Sequence, residues 1–477
     1  MIEFKKGFYA DVRTEDRSRT IISYTDGILQ EMKTSVECRA FLRVYDGRMW
    51  YYASVTDLAH LQNTLDGLYA AATPNAQILD DPVVRRFERN RDTAIRFADC
   101  SVRDIPAGEK QALLLSYLPL LSEDSCVTTH KGLYLDRNSL FRFQSSFGAD
   151  VTYDYQTCGL SFTCSMTEGE KKFTDSWQKG ATRFDELKGL NDELRAAVAE
   201  QAYFMRNSVP VTPGKYPVVL SPEAAGVFAH ESFGHNSESD FMLSDKSMRD
   251  EWQLGKTVGS SILSIVDSGS VSGCGYVPYD DEGTRARKNY LIKNGILAGR
   301  LHSAQTAVAL DEALTGNARA TDCTFEPIVR MTTTYIEGGD LDFDQLIAPI
   351  KNGYFIKTIN HGSGMSIFTI APSLAYEIVD GKLGRPVQIS VLTGSVFETL
   401  GLIDGLTHDV HLLSFVTGGC GKMEQMNLPV GFGGPYVRVS SMNVQSVARA
   451  LPVRDSPSAV AVCTLCSRPA STPFLIR

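Results

Sequence analysis

His230-Glu231-Ser232-Phe233-Gly234-His235 puts two of the chain's eight histidines and a carboxylate into six consecutive residues. In the helical metal motif H-E-x-x-H the two imidazoles sit four residues apart on one face, and the glutamate serves as a base. Here the spacing is five. On a regular α-helix, at about 100° per residue, His235 would point roughly 140° away from His230. Undistorted geometry therefore keeps the two rings from meeting one ion. Two distortions would bring them together. One is a π-bulge, which adds a residue to a turn and is found disproportionately at functional sites. The other is unwinding at Gly234, since glycine tolerates φ values closed to other residues. A metal site here predicts broken α geometry between the histidines. The bland alternative is a buried helix with two hydrogen-bonded histidines, which must still find a partner for Glu231, because an unpaired buried carboxylate is expensive.

A catalytic zinc site takes three protein ligands and leaves a fourth position open. Cys420, in "FVTGGCGKMEQMNLPVGFGGPYVRV", is a candidate third ligand, with glycines on both sides that let the backbone approach a site and apolar strands around it. An inert buried cysteine has the same surroundings. His60, His130, His302, His361, His408 and His411 compete, chiefly His361 in "NHGSG". Glu238 and Asp240 follow the second histidine and are placed to orient ligand imidazoles as acceptors; a polar helix end in water reads the same way. Asp280-Asp281-Glu282 has the look of a hard-cation cluster, but one acidic run is more often a turn. "GFGG" at Gly431–Gly434 is no dinucleotide loop, because Pro435 and strand-like residues follow instead of a helix. Cys463 and Cys466 form a C-x-x-C without a second pair, which reads as a strand with two thiols.

The elements that must position these residues are legible in outline. Ser221-Pro222-Glu223 is a helix start: Ser caps, Pro fits the first turn, and Glu suits the positive end of the dipole. The apolar run "AAGVFAHESFGH" continues it as a buried helix with the histidines at its far end. Asp26-Gly27, Asp46-Gly47, Asn294-Gly295 and Asp380-Gly381 lie between apolar runs and predict two-residue hairpins of type I′. Leu58, Leu61, Leu65, Leu68 and Ala72, and again Leu194, Val198, Ala202 and Met205, recur at helical spacing. "NSVPVTPGKYPVVL" follows, and its three prolines favour an extended connector. Strands and helices mix without strict alternation, which argues for an α+β class. The expected organisation is an N-terminal α/β domain over residues 1–208. A mostly antiparallel β domain over 209–477 then carries the metal-site helix.

Composition bounds the function. The 477 residues are 43% hydrophobic and 22% charged, typical of a globular chain, and the net charge of −9 does not favour electrostatic capture of nucleic acid. The N-terminus turns polar within ten residues, which argues against a signal peptide, and no later run is long enough to span a membrane. Ten scattered cysteines do not form a disulfide framework. A cytoplasmic location is expected.

Taken together, the motifs resemble a known family. "HESFGHNSESDF" is similar to the H-E-x-x-x-H-x-x-E-x-D segment of the TldD/PmbA metalloproteases, long labelled modulators of DNA gyrase. "YADVRTEDRSRTIISYTDGILQEM", "YDDEGTRARKNYLIKNGIL", "GNARATDCTFEPIVRMTTTYIEGGD", "NGYFIKTINHGSG" and "CGKMEQMNLPVGFGGP" follow in family order, so the likeness runs nearly end to end. It implies His230, His235 and Cys420 as ligands of one zinc ion and Glu231 as the base that activates a zinc-bound water. It also implies a homodimer or a heterodimer with a sister subunit lacking the ligands, and a metal on a buried helix, reached through a cleft, suits peptide or unfolded-protein substrates. All four positions are intact, so the catalytic type is expected; the alternative is a non-catalytic scaffold subunit that binds peptides or a partner. The chain departs from the family at Asn236 and Ser237, where small apolar or glycine residues are usual, at Glu37-Cys38, and in "GSGMSIFTIAP".

Overall fold

The computed structural model describes residues 2–446 apart from Met365 and Val416; Cys463 and Cys466 lie outside the described residues. Strand β1 (Tyr9–Thr25) turns into β2 (Ile28–Tyr45) through Asp26 and Gly27, with φ of 48° and 76°. Positive φ at both central residues is what a type I′ turn requires. Asn294-Gly295 (50°, 79°) and Asp380-Gly381 (47°, 73°) repeat the solution. Asp46-Gly47 does not. Only Gly47 has positive φ there, at 92°. The loop to β3 (Trp50–Val55) is longer, and Asp46 Oδ1 accepts from the backbone N–H groups of Arg48 and Met49 at 2.8 and 2.9 Å. That side chain builds the turn itself, as aspartate does in Asx-turns.

Four more strands complete the first sheet: β4 (Arg91–Ala94), β5 (Val127–Ser145), β6 (Asp150–Glu168) and β7 (Lys171–Ala181). The order is β3-β2-β1-β5-β6-β4, with β7 also on β6, and every pairing is antiparallel except β4 with β6. Helices α1 (Leu61–Ala71), α2 (Pro82–Arg86), α3 (Ala107–Tyr117) and α4 (Asn191–Asn207) accompany it. The helical periodicities have their cause here: Leu65 packs with Phe8, Ala10 and Leu42, while Leu194, Val198, Ala202 and Met205 pack with Tyr117, Tyr134 and Phe162. Because side chains alternate across a strand, β1 and β5 turn Arg17, Arg19, Leu135 and Arg137 to the opposite face, where they line a cleft.

Beyond α4 the chain builds a nine-stranded and a six-stranded sheet, both largely antiparallel, around one extended apolar core. Helix α5 (Pro222–Ala229) is buried between them. It starts as the sequence dictates, with Pro222 in the first turn and Ser221 Oγ accepting from the Ala224 N–H at 3.2 Å. Its Phe228 meets Phe368 of one sheet edge-on at 5.0 Å, and its Gly226 lies against Phe432 and Gly433 of the other. The acidic run 280–282 is a turn that fastens the two parts together. Asp280 accepts from the N–H groups of Glu282, Thr284 and Ala318. Asp281 pairs with Arg13 at 2.9 Å and Glu282 with Arg43 at 3.3 Å, both across to the first sheet.

The seat of α5 is tight. A Cβ on Gly226 would lie 2.4 Å from the Gly433 nitrogen and 2.6 Å from its Cα. Alanine would gain about 1 kcal/mol of helix propensity and meet an overpacking penalty of about 1–3 kcal/mol against backbone. Gly226→Ala is therefore expected to lower Tm in a thermal melt; a raised Tm would show that the spacing between α5 and the sheet is soft.

Candidate metal centre

Helix α5 does not stop at Ala229; it widens. Residues His230–Gly234 form a π turn, closed by the His235 N–H donating to the His230 carbonyl, and residues 235–237 tighten into a 3-10 turn. Of the two distortions the sequence allows, the bulge is the one present. Gly234 keeps ordinary helical angles (φ −57°, ψ −51°), so unwinding there is not used. Glycine serves another purpose at that position: a Cβ would collide with the Met331 sulfur at 2.1 Å. Asn236 and Ser237, the departures beyond the second histidine, bond back into the distorted turn. Asn236 Nδ2 donates to the Ser232 carbonyl and Ser237 Oγ to the Phe233 carbonyl, each at 3.0 Å. Such side chains take up carbonyls that a change of helix type leaves unmatched.

The consequence is a convergence. The imidazoles of His230 and His235 come to 5.1 Å between ring centres, nearly perpendicular at 81°. Cys420, on the short strand Cys420–Lys422, meets them from the other side, with Sγ 3.4 Å from His235 Nε2. One donor atom from each of the three residues lies within 4.8 Å of the others, and this is the one such His/Cys/Asp/Glu group among the described residues. Tetrahedral zinc with sulfur at about 2.3 Å and nitrogen at about 2.0–2.1 Å sets its donors roughly 3.5 Å apart, so the set fits that ion. Nδ1 of His230 is buried without a hydrogen-bond partner, and a lone polar atom of that kind costs about 1–3 kcal/mol. The competitor His361 is exposed on the strand Ile359–Gly364, outside the group.

Electrostatics prepares the sulfur. Burial alone would raise the Cys420 thiol, but His230 and then His235 outweigh it and bring the pKa down to about 5. Burial would likewise lower His235, yet its bonds to Cys420 and Glu238 raise it to about 11. The thiolate is the form that binds metal. Behind His235, Glu238 Oε2 lies 3.2 Å from Nδ1, which leaves Nε2 facing Cys420. Glu238 is fully buried, and His235 with Lys422 holds its carboxyl below the usual range despite that burial.

Asp240 does not reach a histidine. Its two oxygens take the ammonium of Lys422, each at 2.7 Å, yet burial, joined by the charge of Glu238, leaves its pKa raised; Lys422 also meets Glu238 at 3.0 Å. Lys422 is the residue the sequence reading missed. It stands two positions after Cys420 on a strand, hence on the same side, and donates to the Val329 carbonyl as well. Arg330, also unforeseen, is fully buried and donates to the Cys420 and Gln425 carbonyls at 2.7 and 3.2 Å. It pins the hairpin formed by Cys420–Lys422 and Gln425–Leu428.

The centre opens onto a cleft of about 1250 Å³ between the first sheet and the second part of the chain, lined by His230, Glu231 and Cys420 among others. Glu231 is half-buried there, and its carboxylate has no hydrogen-bond partner among the described residues. Contact with the cleft relieves the expense of burial that a closed helix would have imposed.

The chain is similar to known proteins along most of its length. Residues 213–446 match the family description "PmbA/TldA metallopeptidase C-terminal domain" and residues 10–72 match "PmbA/TldA metallopeptidase domain 1". A metalloprotease of Methanothermobacter thermautotrophicus is 32% identical over 441 residues, covering 91% of this chain and 95% of its own. A zinc metalloprotease TldD homolog of Saccharolobus solfataricus is 31% identical over 244 residues, 50% of this chain and 53% of that protein. In fold, the crystal structure of TldE from Thermococcus kodakarensis superposes with a TM-score of 0.72 at 15% identity, covering 92% of this chain and 96% of that one.

Removing one partner from a buried ionic network leaves uncompensated charge, at about 3–5 kcal/mol. Lys422→Met, which strands Glu238 and Asp240, is expected to destabilise the fold by that order in denaturant titration. A change below about 0.5 kcal/mol would show that the network contributes nothing to holding the centre.

Proposed function

Because the chain belongs to the PmbA/TldA metallopeptidase family, we propose that it hydrolyses peptide bonds in flexible peptides or unfolded segments, using one zinc ion held by His230, His235 and Cys420. The observation that carries this reading is the pairing of a three-donor group with a partnerless carboxylate, Glu231, on the wall of a single large cleft. A structural zinc site needs no base and closes all four positions with protein ligands. Zinc held by these residues supplies Lewis acidity, polarising a carbonyl and making water acidic enough for a carboxylate to deprotonate.

Glu231 takes the proton of the attacking water and passes it to the leaving amine. Glu238 fixes the ring of His235 from behind, and Lys422 keeps Glu238 ionised and in place. The substrate is held by a sheet edge. The strand Ile359–Gly364 ends the nine-stranded sheet and pairs on one side only, with Ile367–Pro372, among the described residues. Residues 359–362 line the cleft, and Gly362 lies beside the Glu231 side chain. An extended peptide can add to that free edge and satisfy its backbone groups, whereas a folded domain would first have to open locally. In this reading residues 209–477 carry the chemistry and residues 1–208 supply the facing wall. The intact ligand set makes this chain the metal-bearing partner, in a homodimer or beside a sister subunit. A reducing compartment such as the cytoplasm suits the Cys420 thiolate.

Glu231→Gln is expected to keep one zinc per chain by elemental analysis and to lose peptide hydrolysis by about 10²–10⁴-fold. His230→Ala, His235→Ala and Cys420→Ala should lose both metal and activity. A Gln variant that cuts an unstructured peptide at near wild-type rate would remove Glu231 from the chemistry.

A further inference from the structure

The wall of the cleft formed by the first sheet carries three arginines on one face. Arg17 and Arg19 alternate along β1, and Arg137 of β5 stands in register with Arg19. Two of them are matched: Arg137 pairs with Glu15 at 2.6 Å and Arg17 with Glu37 at 2.9 Å. Arg19 is exposed to the cleft and makes no hydrogen bond or ion pair among the described residues. Burial, then the like charges of Arg17 and Arg137, hold its guanidinium below the ordinary range, ahead of the opposing pull of Glu31 and Glu37. These three are the only arginines or lysines lining the cleft among the described residues; the lining carboxylates are Asp136 of β5, already paired with Lys110, Asp322, Asp175 of β7, and Glu223 and Glu231 of the metal-site helix. Strands β5 and β6 separate β1 from β7, so all three guanidiniums stand on the β1–β5 side of the cleft.

One guanidinium thus lacks the single negative charge that its two neighbours have. Its planar fork matches a carboxylate in shape as well as charge. A polyanion is a poor fit, because the chain's net charge is −9. We propose that Arg19 is a carboxylate anchor for the peptide lying in the cleft, drawing a carboxylate-bearing part of the substrate to the β1 side. The inference rests on the proposed peptidase reading and adds to it an orientation and a substrate preference. Two sources of the carboxylate share this chemistry, the C-terminal carboxylate of a short peptide and an Asp or Glu side chain.

The test uses the full chain carrying Glu231→Gln, loaded with zinc, and measures binding of fluorescent unstructured peptides by anisotropy. Three forms of one sequence are compared: a free C-terminus, the C-terminal amide, and the amide with one Asn replaced by Asp at successive positions. At least one carboxylate form is expected to bind about tenfold more tightly than the neutral amide. That ratio should fall towards one in Arg19→Gln, return in part in Arg19→Lys, and shrink as salt rises. Preference for the free terminus identifies the α-carboxylate, and preference for one Asp position a side chain. A ratio near one in the parent, or a ratio unchanged by Arg19→Gln, overturns the proposal. Cleavage by the Glu231-bearing chain separates the two readings. Neutral peptides cut normally with no carboxylate preference reject the anchor alone. Preferential binding without cleavage keeps the anchor and rejects hydrolysis. Peptides neither bound nor cut reject both.

Discussion

Two imidazoles five residues apart can share an ion only if the helix between them takes up an extra residue. The structure takes it up within one turn, His230–Gly234, and much of the surrounding sequence can be read as support for that distortion. Ser221 and Pro222 fix where the helix begins, so the widened turn falls at its far end. Phe228 and Gly226 lock the preceding turns between two sheets, which leaves the histidines no freedom to rotate away. Asn236 and Ser237 then collect the carbonyls of Ser232 and Phe233. A π turn is strained relative to α, and it persists where its surroundings over-determine it.

A second layer of charge holds Cys420 against the two histidines. Cys420 and Lys422 share a strand, and Lys422 reaches Glu238, which in turn holds His235. One buried cation therefore ties the cysteine strand to the histidine helix through carboxylates, while Arg330 fixes the strand's own backbone. Lys422 and Glu238 are both buried, and their charges are tolerable there because His235, Asp240 and each other stand beside them. The clasp of Arg13 and Arg43 with Asp281 and Glu282 does the same at larger scale, setting the first sheet at a fixed distance across the cleft.

Local signals in the sequence are legible where one residue type has one physical job. Positive φ at Asp26-Gly27, the Ser221 cap and the apolar stripe of α4 each follow from a rule that needs no tertiary context. The five-residue spacing announces a distorted helix, though not which distortion, since Gly234 offers a second route that the structure leaves unused, keeping helical angles there. Asp46 misled because its side chain, not the backbone pair, builds the turn. Asp240 misled because position along the chain says nothing of the lysine that would arrive from 182 residues away. Lys422 and Arg330 were invisible for the same reason: a buried cation in sequence looks like any surface lysine or arginine until its partners are placed around it.

The central claim is that the widened turn and the cysteine strand present two nitrogens and one sulfur to the same ion. X-ray absorption at the zinc edge of the purified full chain measures that directly. One sulfur scatterer is expected at about 2.3 Å with two imidazole nitrogens at about 2.0–2.1 Å, and loss of the sulfur shell in Cys420→Ser. A zinc shell of nitrogen and oxygen alone in the wild-type chain, or a sulfur shell that survives Cys420→Ser, would contradict it.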